Sequence, residues 1–396
     1  MELDQKIEAI QELLTRQKVD GWLLYDNHGS NRFARQLLEV APHKVLTRRF
    51  FYWIPREGIP HKIVHRIEAE NLEDTPGKTH LYLSWKELKH SLKEVLKGAK
   101  SVLMEYSPGG ANPYISVVDA GTLEMVRENG VEVLSSADLL QQFTSVLSEE
   151  QIATHLVAAD VLQTTLIRAW DLIADRLRKD QQVTEYDVQQ FMLSEFAAEN
   201  CITDEGPICA VNEHTAMPHY AATRQSAKSI VRGDLILLDL WCKKDLPHAV
   251  YADISRVAVA ASEPTPLQEK IFDVVKTAQK KGFEFVRDRM EAGQLVHGAD
   301  VDNVCRGHVK ACGYGEYFTH RTGHNIDTQV HGAGAHLDNL ETSDYRLLLP
   351  GMCFSIEPGI YLPGEFGIRL ESDLLIRHDG SVELTGGVEE NITCLL

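Results

Sequence analysis

The sequence predicts a two-domain α/β protein, in which an α/β domain over residues 1–147 precedes an α+β domain over residues 148–396. Its 396 residues exceed the roughly 250–300 at which a single hydrophobic core stops growing. Strand and helix patterns alternate in the first part of the chain. In the second part, pairs of helices alternate with strand-rich stretches. The first order is typical of α/β domains and the second of α+β domains.

In the first domain, the predicted helices and strands alternate along the chain. Apolar residues at helical spacing predict a helix over residues 3–17, and helical patterns recur over 84–97 and about 114–129. Short β-prone runs predict strands at Trp22–Tyr25, Phe50–Ile54, Lys62–His65, Ser101–Glu105 and Val131–Leu134. This alternation favours a sheet flanked by helices.

Helix-start and helix-stop signals define the helices of the second domain. Ser148 and Gln151 have the spacing of a capping box. Thr184 predicts another cap, Pro266 is suited to a first helical turn, and Gly313 is suited to a helix end. The predicted helices cover about 149–178, 184–199, 265–290 and 300–312, and the strand-rich segments are 206–262 and 317–396.

The charge of the chain limits the classes of partner. The sequence has 58 acidic and 40 basic residues, which gives a formal net charge of −18. Binding to nucleic acid or to an anionic membrane requires basic patches, so we expect neither partner.

The cysteines and the opening residues indicate a compartment. Seven cysteines are scattered along the chain without a Cys-x-x-Cys pair, which opposes a disulfide framework. Residues 1–6 lack the apolar core of a signal peptide, and no apolar run approaches the ~20 residues of a membrane span. A reducing cytoplasm is therefore the expected location.

One glycine-rich stretch carries three histidines. His320, His324 and His331 lie at spacings of four and seven. The glycines at 323 and 332 oppose one continuous helix. We therefore expect a loop or strand segment on which the imidazoles converge.

Four acids lie in apolar, β-prone runs, where burial of a single charge is costly. They are Asp239, Asp253, Glu357 and Glu371. Together with His324 they supply mostly hard oxygen donors, a set suited to Mn²⁺ and compatible with Co²⁺ or Zn²⁺. Because neighbouring carboxylates repel one another, we expect divalent cations to neutralise them.

These residues resemble the ligand set of the pita-bread metallopeptidases, a group that contains methionine aminopeptidase, aminopeptidase P and prolidase. The matching motifs are Thr-Gly-His324-Asn-Ile-Asp, Ser-Ile-Glu357-Pro-Gly-Ile-Tyr, Gly-Ile-Arg-Leu-Glu371 and Pro218-His219-Tyr220. Residues 148–396 resemble the pita-bread catalytic domain, and residues 1–147 resemble the amino-terminal domain of aminopeptidase P, prolidase and creatinase. The resemblance covers nearly the whole chain and implies a creatinase-like α/β domain followed by a pita-bread domain.

The resemblance implies a dimetal exopeptidase that hydrolyses Xaa-Pro bonds. Two divalent cations, Mn²⁺ foremost, would share a water molecule and lower its pKa enough to form hydroxide. The implied ligands are Asp239, Asp253, His324, Glu357 and Glu371, with Asp253 and Glu371 bridging the ions. Glu357 would also shuttle a proton, His219 and His331 would stabilise the oxyanion, and Arg369 would orient carboxylates. The implied partners are a peptide with proline in second position and a second copy of the chain in a homodimer.

The hairpin between the first two acids departs from the family pattern. Family members usually have a glycine two residues after the first aspartate, whereas this chain has Trp241. Asp239 and Asp253 are fourteen positions apart, which is longer than the common spacing. We interpret the extra residues as a longer turn and Asp245, the rival for second ligand, as a solvated residue of that turn.

Two other functions of the same fold stay open at this point. Creatinase-like amidinohydrolases use the architecture without metals, but they do not keep all five ligands. Degenerate members act as binding modules after losing ligands. The complete set in this chain favours the peptidase, and metal analysis of the purified protein would distinguish it from both alternatives.

Substrate length and the roles of two further side chains also stay open. Similar prolidases commonly have an arginine fourteen positions before the glutamate of the Glu-Pro-Gly motif, where this chain has Ser343. Arg346 is a substitute, but we interpret it as a surface residue beside Asp344. This slightly favours aminopeptidase P-like cleavage of longer peptides over strict dipeptidase action. For His320, an orienting role and a packing role are equally compatible with the sequence.

Overall fold

A computed structural model describes residues 2–41 and 43–396 and divides the chain into two compact units, Met1–Thr144 and Ser145–Leu396. The boundary predicted from the sequence lies after residue 147. Each unit combines helices with β-sheet, and the predicted α/β class is confirmed.

The first unit is built around one mixed sheet. Its described strands are β1 (Gly21–Asp26), β2 (Phe50–Pro55), β3 (His61–His65), β4 (Lys78–Tyr82), β5 (Ser101–Met104) and β6 (Glu132–Ser135). They lie in the order β4-β3-β2-β1-β5-β6, with β1, β5 and β6 parallel to one another and β2 antiparallel to β1. The helices are α1 (Leu3–Gln17), α2 (Arg32–Leu37), α3 (Trp85–Val95), α4 (Ala120–Arg127) and α5 (Ala137–Thr144).

Most elements of the first unit follow the sequence pattern, but one predicted helix is divided. The segment predicted as helix over 114–129 contains a 3-10 turn at Pro113–Ile115 and the helix α4. Asp119 is extended and its side chain accepts the backbone N–H of Thr122, so a new helix begins there. The prediction also missed α2, β4 and α5, which are short and partly polar.

In the second unit the predicted caps are in place. The helices are α6 (Glu149–Arg178), α7 (Glu185–Ala198), α8 (Pro266–Glu291) and α9 (Gly298–Ala311). Ser148, Thr184 and Thr265 each accept the backbone N–H of the third helical residue, whose side chain returns a hydrogen bond to the cap backbone. These reciprocal bonds satisfy donors that a helix start leaves unpaired.

The strands of the second unit form several sheets. They are β7 (Cys201–Ile202), β8 (Ile208–Val211), β9 (Leu235–Lys244), β10 (Ala252–Val259), β11 (Asn325–Ile326), β12 (Cys353–Ile356), β13 (Gly359–Leu362), β14 (Phe366–Arg369), β15 (Ser372–Ile376), β16 (Val382–Thr385) and β17 (Thr393–Cys394). One sheet has the order β17-β10-β9-β7, with β8 also paired to β9. A second has the order β11-β12-β15-β16, and β13 pairs with β14.

One face of the long strand β9 changes from apolar to polar along the strand. Its even-numbered residues, such as Leu238, pack on an apolar core that includes residues of α6 and α7. Of the odd-numbered residues, Leu235 and Leu237 belong to a second core with α8 and α9. The next odd position is Asp239, so the same face becomes polar towards the hairpin end. Because β9 is buried on both faces, its sequence begins as a nearly continuous run of apolar residues.

Two further observations concern thiols and membranes. All seven cysteines are free thiols, as their spacing predicted. Among the helices of the described residues, none combines the length and the apolar character that crossing a membrane requires.

Candidate metal centre

The hairpin of β9 and β10 presents Asp239 and Asp253 on one face. Asp239 stands opposite Ser255, and Ser255 is two residues from Asp253 on β10. Because side chains two apart on a strand share a face, both aspartates point the same way. Both are buried. Asp245 is exposed beyond the end of β9, so the extra residues of the hairpin lie in its turn.

A second pair of segments brings His324 and Glu357 together. The Ser355 N–H donates to the His324 carbonyl at 2.8 Å, and the Glu357 N–H donates to the Thr322 carbonyl at 2.8 Å. Gly323 allows this approach, since a Cβ there would lie 2.0 Å from the Ser355 carbonyl oxygen. The His324 segment therefore runs beside β12, and its imidazole lies next to the carboxylate that follows that strand.

Glu371 joins the two sheets at the site. It lies between β14 and β15 and forms an isolated antiparallel bridge with Ser255 of β10. Ligand atoms of Asp253, His324 and Glu371 all lie within 4.8 Å of one another. His324 Nε2 is 3.7 Å from Asp253 Oδ2 and 3.6 Å from Glu357 Oε1. The cluster therefore contains three candidate ligands, with Glu357 directly beside them.

Burial shifts the pKa values of these side chains so that their neutral forms are favoured. Burial, and next the neighbouring carboxylates, raise the pKa values of Asp253 and Glu371 well above the usual carboxyl range. Burial raises the pKa of Glu357 to about 7, with the charges of Arg369 and Arg321 opposing it. Burial lowers the pKa of His324 well below its ordinary value, which leaves the imidazole neutral. Carboxylates that repel and a neutral imidazole are suited to a shared cation.

One oxygen supports this interpretation. Within residues 2–41 and 43–396, Oδ1 of Asp253 is buried and has no hydrogen-bond partner, which is costly for a carboxylate oxygen in the interior. Its other oxygen, Oδ2, lies 3.7 Å from Nε2 of the neutral His324. The donor set and the unpaired oxygen fit a divalent cation.

Asp239 lies beside this cluster and forms an ion pair. Arg369 Nη2 donates to Asp239 Oδ2, and Arg369 Nε donates to Ser255 Oγ at 2.9 Å. Arg369 Nε also lies 4.0 Å from Glu357 Oε2. The buried guanidinium thus orients one carboxylate directly and lies next to another.

His331 and His219 lie at the rim of the site. The rings of His324 and His331 are in edge contact, with centroids 4.4 Å apart. Desolvation by surrounding protein atoms, followed by the charge of Arg321, lowers the pKa of His331 to about 4, although its side chain reaches solvent. His219 is exposed and its charge also acts on His331. Near neutral pH, His331 is therefore a neutral hydrogen-bonding group.

His320 contacts the tyrosine that follows the Glu-Pro-Gly motif. Its Nε2 lies 2.7 Å from the Tyr361 hydroxyl, and its Nδ1 lies 2.7 Å from the Arg321 carbonyl. Arg369 Nη1 donates to the same hydroxyl at 3.2 Å. Burial lowers the pKa of His320 to about 3, so the ring is neutral. The side chain holds Tyr361, which in turn contacts Arg369, so it positions other groups.

Three contacting residues were missed in the sequence. The Ser255 hydroxyl contacts Asp239 and Glu371, the Ser355 hydroxyl accepts the His324 N–H at 3.0 Å, and Tyr361 contacts Arg369. Ser255 could have been found, because it lies two residues after Asp253 in a strand and so shares its face. The role of Ser355 depends on the pairing of distant segments and has no local signal.

The surface interpretation of Arg346 is wrong. Its side chain is buried, and it donates to Asp344, to the Ala333 carbonyl at 2.8 Å and to the Gly334 carbonyl at 2.7 Å. The buried Asp344 and the two carbonyls compensate the charge. Arg346 therefore ties the loop after His331 to residues 344–346, and its contacts leave it poorly placed to bind a substrate carboxylate.

Comparison with known proteins identifies a family. Residues 155–378 match the sequence model of metallopeptidase family M24. The chain is 30% identical over 294 residues to an Xaa-Pro dipeptidase from Pyrococcus horikoshii, an alignment that covers 74% of this chain and 75% of the relative.

Solved structures have the same fold. A dipeptidase PepE from Mycobacterium ulcerans superposes with a TM-score of 0.72 at 20% identity, covering 99% of this chain and 98% of that one. A prolidase from Thermococcus sibiricus superposes with a TM-score of 0.65 at 22% identity, covering 100% of this chain and 99% of that one. At these identities the likeness establishes the fold alone.

Proposed function

Because the chain belongs to metallopeptidase family M24, we propose that it is a dimetal exopeptidase that hydrolyses the bond between an amino-terminal residue and proline. The observation that carries the proposal is the buried cluster of Asp253, His324 and Glu371, with ligand atoms within 4.8 Å of one another. The bond specificity is taken from the relative described as an Xaa-Pro dipeptidase. An Xaa-Pro bond lacks an N–H, so an enzyme that docks an extended backbone recognises it poorly.

Five side chains would hold the two cations. They are Asp239, Asp253, His324, Glu357 and Glu371. When bound, divalent cations polarise the scissile carbonyl and lower the pKa of a water molecule. The predominance of carboxylate oxygens favours Mn²⁺, and the imidazole also accommodates Co²⁺ or Zn²⁺.

Glu357 is the candidate for proton transfer. Its Oε1 lies 3.6 Å from His324 Nε2, and its Oε2 lies 4.0 Å from Arg369 Nε. The carboxylate therefore borders the proposed ligands and is only partly buried. It would accept a proton from the attacking water and deliver it to the departing proline nitrogen.

His331 and His219 are candidates for stabilising the transition state. His331 is in ring contact with His324 at 4.4 Å and is exposed at the rim. As a neutral imidazole it can donate one hydrogen bond to the developing oxyanion. His219 lies close enough to influence the pKa of His331, and it would hold the substrate. Arg369 would orient Asp239 from behind.

A metal-dependence assay tests the proposal. The purified protein is stripped with a chelator, its metal content is measured, and hydrolysis of Ala-Pro and Ala-Pro-Ala is followed with and without added Mn²⁺. Ala-Ala-Ala serves as the control peptide. We expect activity only on the proline peptides and only after the cation is restored. Full activity in a thoroughly metal-free sample would refute the dimetal proposal, and equal cleavage of Ala-Ala-Ala would refute the bond specificity.

From the same resemblance we propose that the chain forms a homodimer. Sedimentation equilibrium of the full chain tests this, since the monomer mass is 44.5 kDa. A species of that mass at micromolar concentration would contradict it.

A further inference from the structure

Trp241 lies between a proposed metal ligand and the segment that follows β7. In the pairing of β9 with β10, Trp241 stands directly opposite Asp253. On the other side of β9, Ile202 stands opposite Lys243. Asp204 lies two residues after the end of β7, so Trp241 has Asp253 on the β10 side and the segment that follows β7 on the other side.

The side-chain contacts agree with this placement. The Trp241 Nε1–H donates to Asp204 Oδ1 at 3.0 Å, and the Glu205 N–H donates to the same oxygen at 3.0 Å. Trp241 is half-buried and packs against two apolar clusters, whereas Asp204 is exposed. The indole of Trp241 therefore links Asp204 to the strand that stands opposite Asp253.

Asp204 places a negative charge at the exposed side of Trp241. Burial lowers the pKa of Lys243 and the nearby charge of Asp204 opposes that shift. The Lys243 Nζ, however, donates to the Thr328 carbonyl at 2.6 Å and lies 4.7 Å from the centre of the Tyr251 ring. Within the described residues, no lysine or arginine forms an ion pair with Asp204. Its second carboxylate oxygen is thus available to a ligand.

We propose that Trp241 and Asp204 form the subsite for the amino-terminal residue of the substrate and select arginine or lysine before proline. The inference rests on the peptidase activity proposed above. The aliphatic stem would pack along the indole, the cationic group would lie over its π-face, and Asp204 would accept a charge-assisted hydrogen bond. Glycine, the usual family residue at position 241, has neither the apolar surface of an indole nor the indole N–H that donates to Asp204.

The first measurement compares cationic substrates with an uncharged analogue of lysine. Norleucine has the apolar stem of lysine without its ammonium group. With Mn²⁺-loaded protein, kcat/KM is measured for Arg-Pro-Ala, Lys-Pro-Ala and norleucine-Pro-Ala, and for the three dipeptides, so that chain-length preference does not interfere. We expect the two cationic residues to exceed norleucine by about tenfold, as for one partly exposed charge-assisted contact.

Two matched variants then locate the selection. Asp204→Asn keeps the shape of the side chain and removes its charge, and we expect the ratio of arginine to norleucine kcat/KM to fall towards one. Glu205→Gln removes one negative charge from the adjacent exposed residue, and we expect it to keep the wild-type ratio. Because the result is a ratio within each preparation, a loss of folded protein does not affect it.

Each outcome has a defined consequence. Equal kcat/KM values for the arginine and norleucine peptides in the wild type overturn the inference. The same ratio of these values in Asp204→Asn and Glu205→Gln, whether changed or unchanged from the wild type, also overturns it. Either result leaves Xaa-Pro hydrolysis intact. Failure of the Mn²⁺-loaded protein to cleave any proline peptide refutes the proposed function itself and the subsite with it.

Discussion

The hydroxyl oxygen of Ser255 lies 2.8 Å from Oε2 of Glu371, and the same oxygen lies 2.7 Å from Oδ1 of Asp239. It also accepts a hydrogen bond from Arg369 Nε at 2.9 Å. A hydroxyl has one hydrogen, so it can donate to only one of the two carboxylates. The other contact requires a proton on a carboxyl group, which agrees with the raised pKa of Glu371.

Ser255→Ala tests this arrangement. Loss of the hydroxyl leaves both carboxylates without a shared partner, and removal of a group that orients metal ligands typically costs about 10–100-fold in metal affinity or activity. We expect a decrease of that size in Mn²⁺ affinity, measured by titration calorimetry. Ser194→Ala, an exposed serine of α7, is the control, and equal affinities for the two variants would contradict the role of Ser255.

Asp253→Asn and Asp245→Asn distinguish the two candidates for second ligand. Asp253 is buried at the cluster, so its substitution should lower kcat/KM by several orders of magnitude. Asp245 is exposed in the hairpin turn, and such substitutions are usually near neutral. Steady-state assays of Ala-Pro-Ala with both variants decide this, and the reverse ranking would show that the ligand is misassigned.

His331→Ala separates metal binding from transition-state stabilisation. We expect metal content near that of the wild type and a kcat lower by about 10²–10³-fold, the usual cost of losing one oxyanion donor. Metal analysis and kinetics on the same sample provide both values. Loss of a metal ion would instead make His331 a ligand.

Metal binding should strengthen as pH rises. The pKa values of Asp253 and Glu371 are raised, and that of Glu357 is raised to about 7. The folded, metal-free protein therefore retains protons that an unfolded chain releases above about pH 4. The stability that these groups contribute is lost as pH rises, and a bound cation, which requires their charged forms, restores it.

The expected result is a larger increase of Tm on adding Mn²⁺ at pH 7.5 than at pH 5.5, measured against chelated protein at the same pH. The comparison at fixed pH cancels the contribution of other titrating groups. An increase that is equal at both pH values would contradict the assignment of these acids as ligands.

Arg346→Ala should affect folding and not the choice of substrate. The guanidinium is buried against Asp344, and removing one partner of a buried pair costs about 3–5 kcal/mol. We expect a marked fall in Tm, while the ratio of kcat/KM for Ala-Pro to that for Ala-Pro-Ala stays the same. Arg287→Ala, at an arginine paired with its neighbour on α8, is the control. A wild-type preference for the dipeptide above tenfold that disappears in Arg346→Ala would make Arg346 the carboxylate anchor.

The sequence by itself determined the local elements and the identity of the candidate ligands. The helix over 149–178 could be predicted because Ser148 and Gln151 form a capping box, whose contacts lie within four residues. The acids were recognisable because a carboxylate in an apolar strand is costly without a partner. Asp245 is exposed after the end of β9, as the neighbouring lysines and proline predicted for a turn residue, and the choice of Asp253 as ligand stays a prediction.

The tertiary structure decided which side chains contact one another. Ser255 lies opposite Asp239 and Trp241 lies opposite Asp253 because of a strand register that no local pattern encodes. The hydrogen bond from Trp241 to Asp204 joins two segments that are distant in sequence. Arg346 is adjacent to a surface-like run of polar residues, yet distant carbonyls of Ala333 and Gly334 bury it. Strand register and the closure of long loops depend on the packing of the whole unit. A register shift of one residue between β9 and β10 would move Asp239 and Trp241 to the opposite face of the sheet, and no local sequence pattern excludes such a shift.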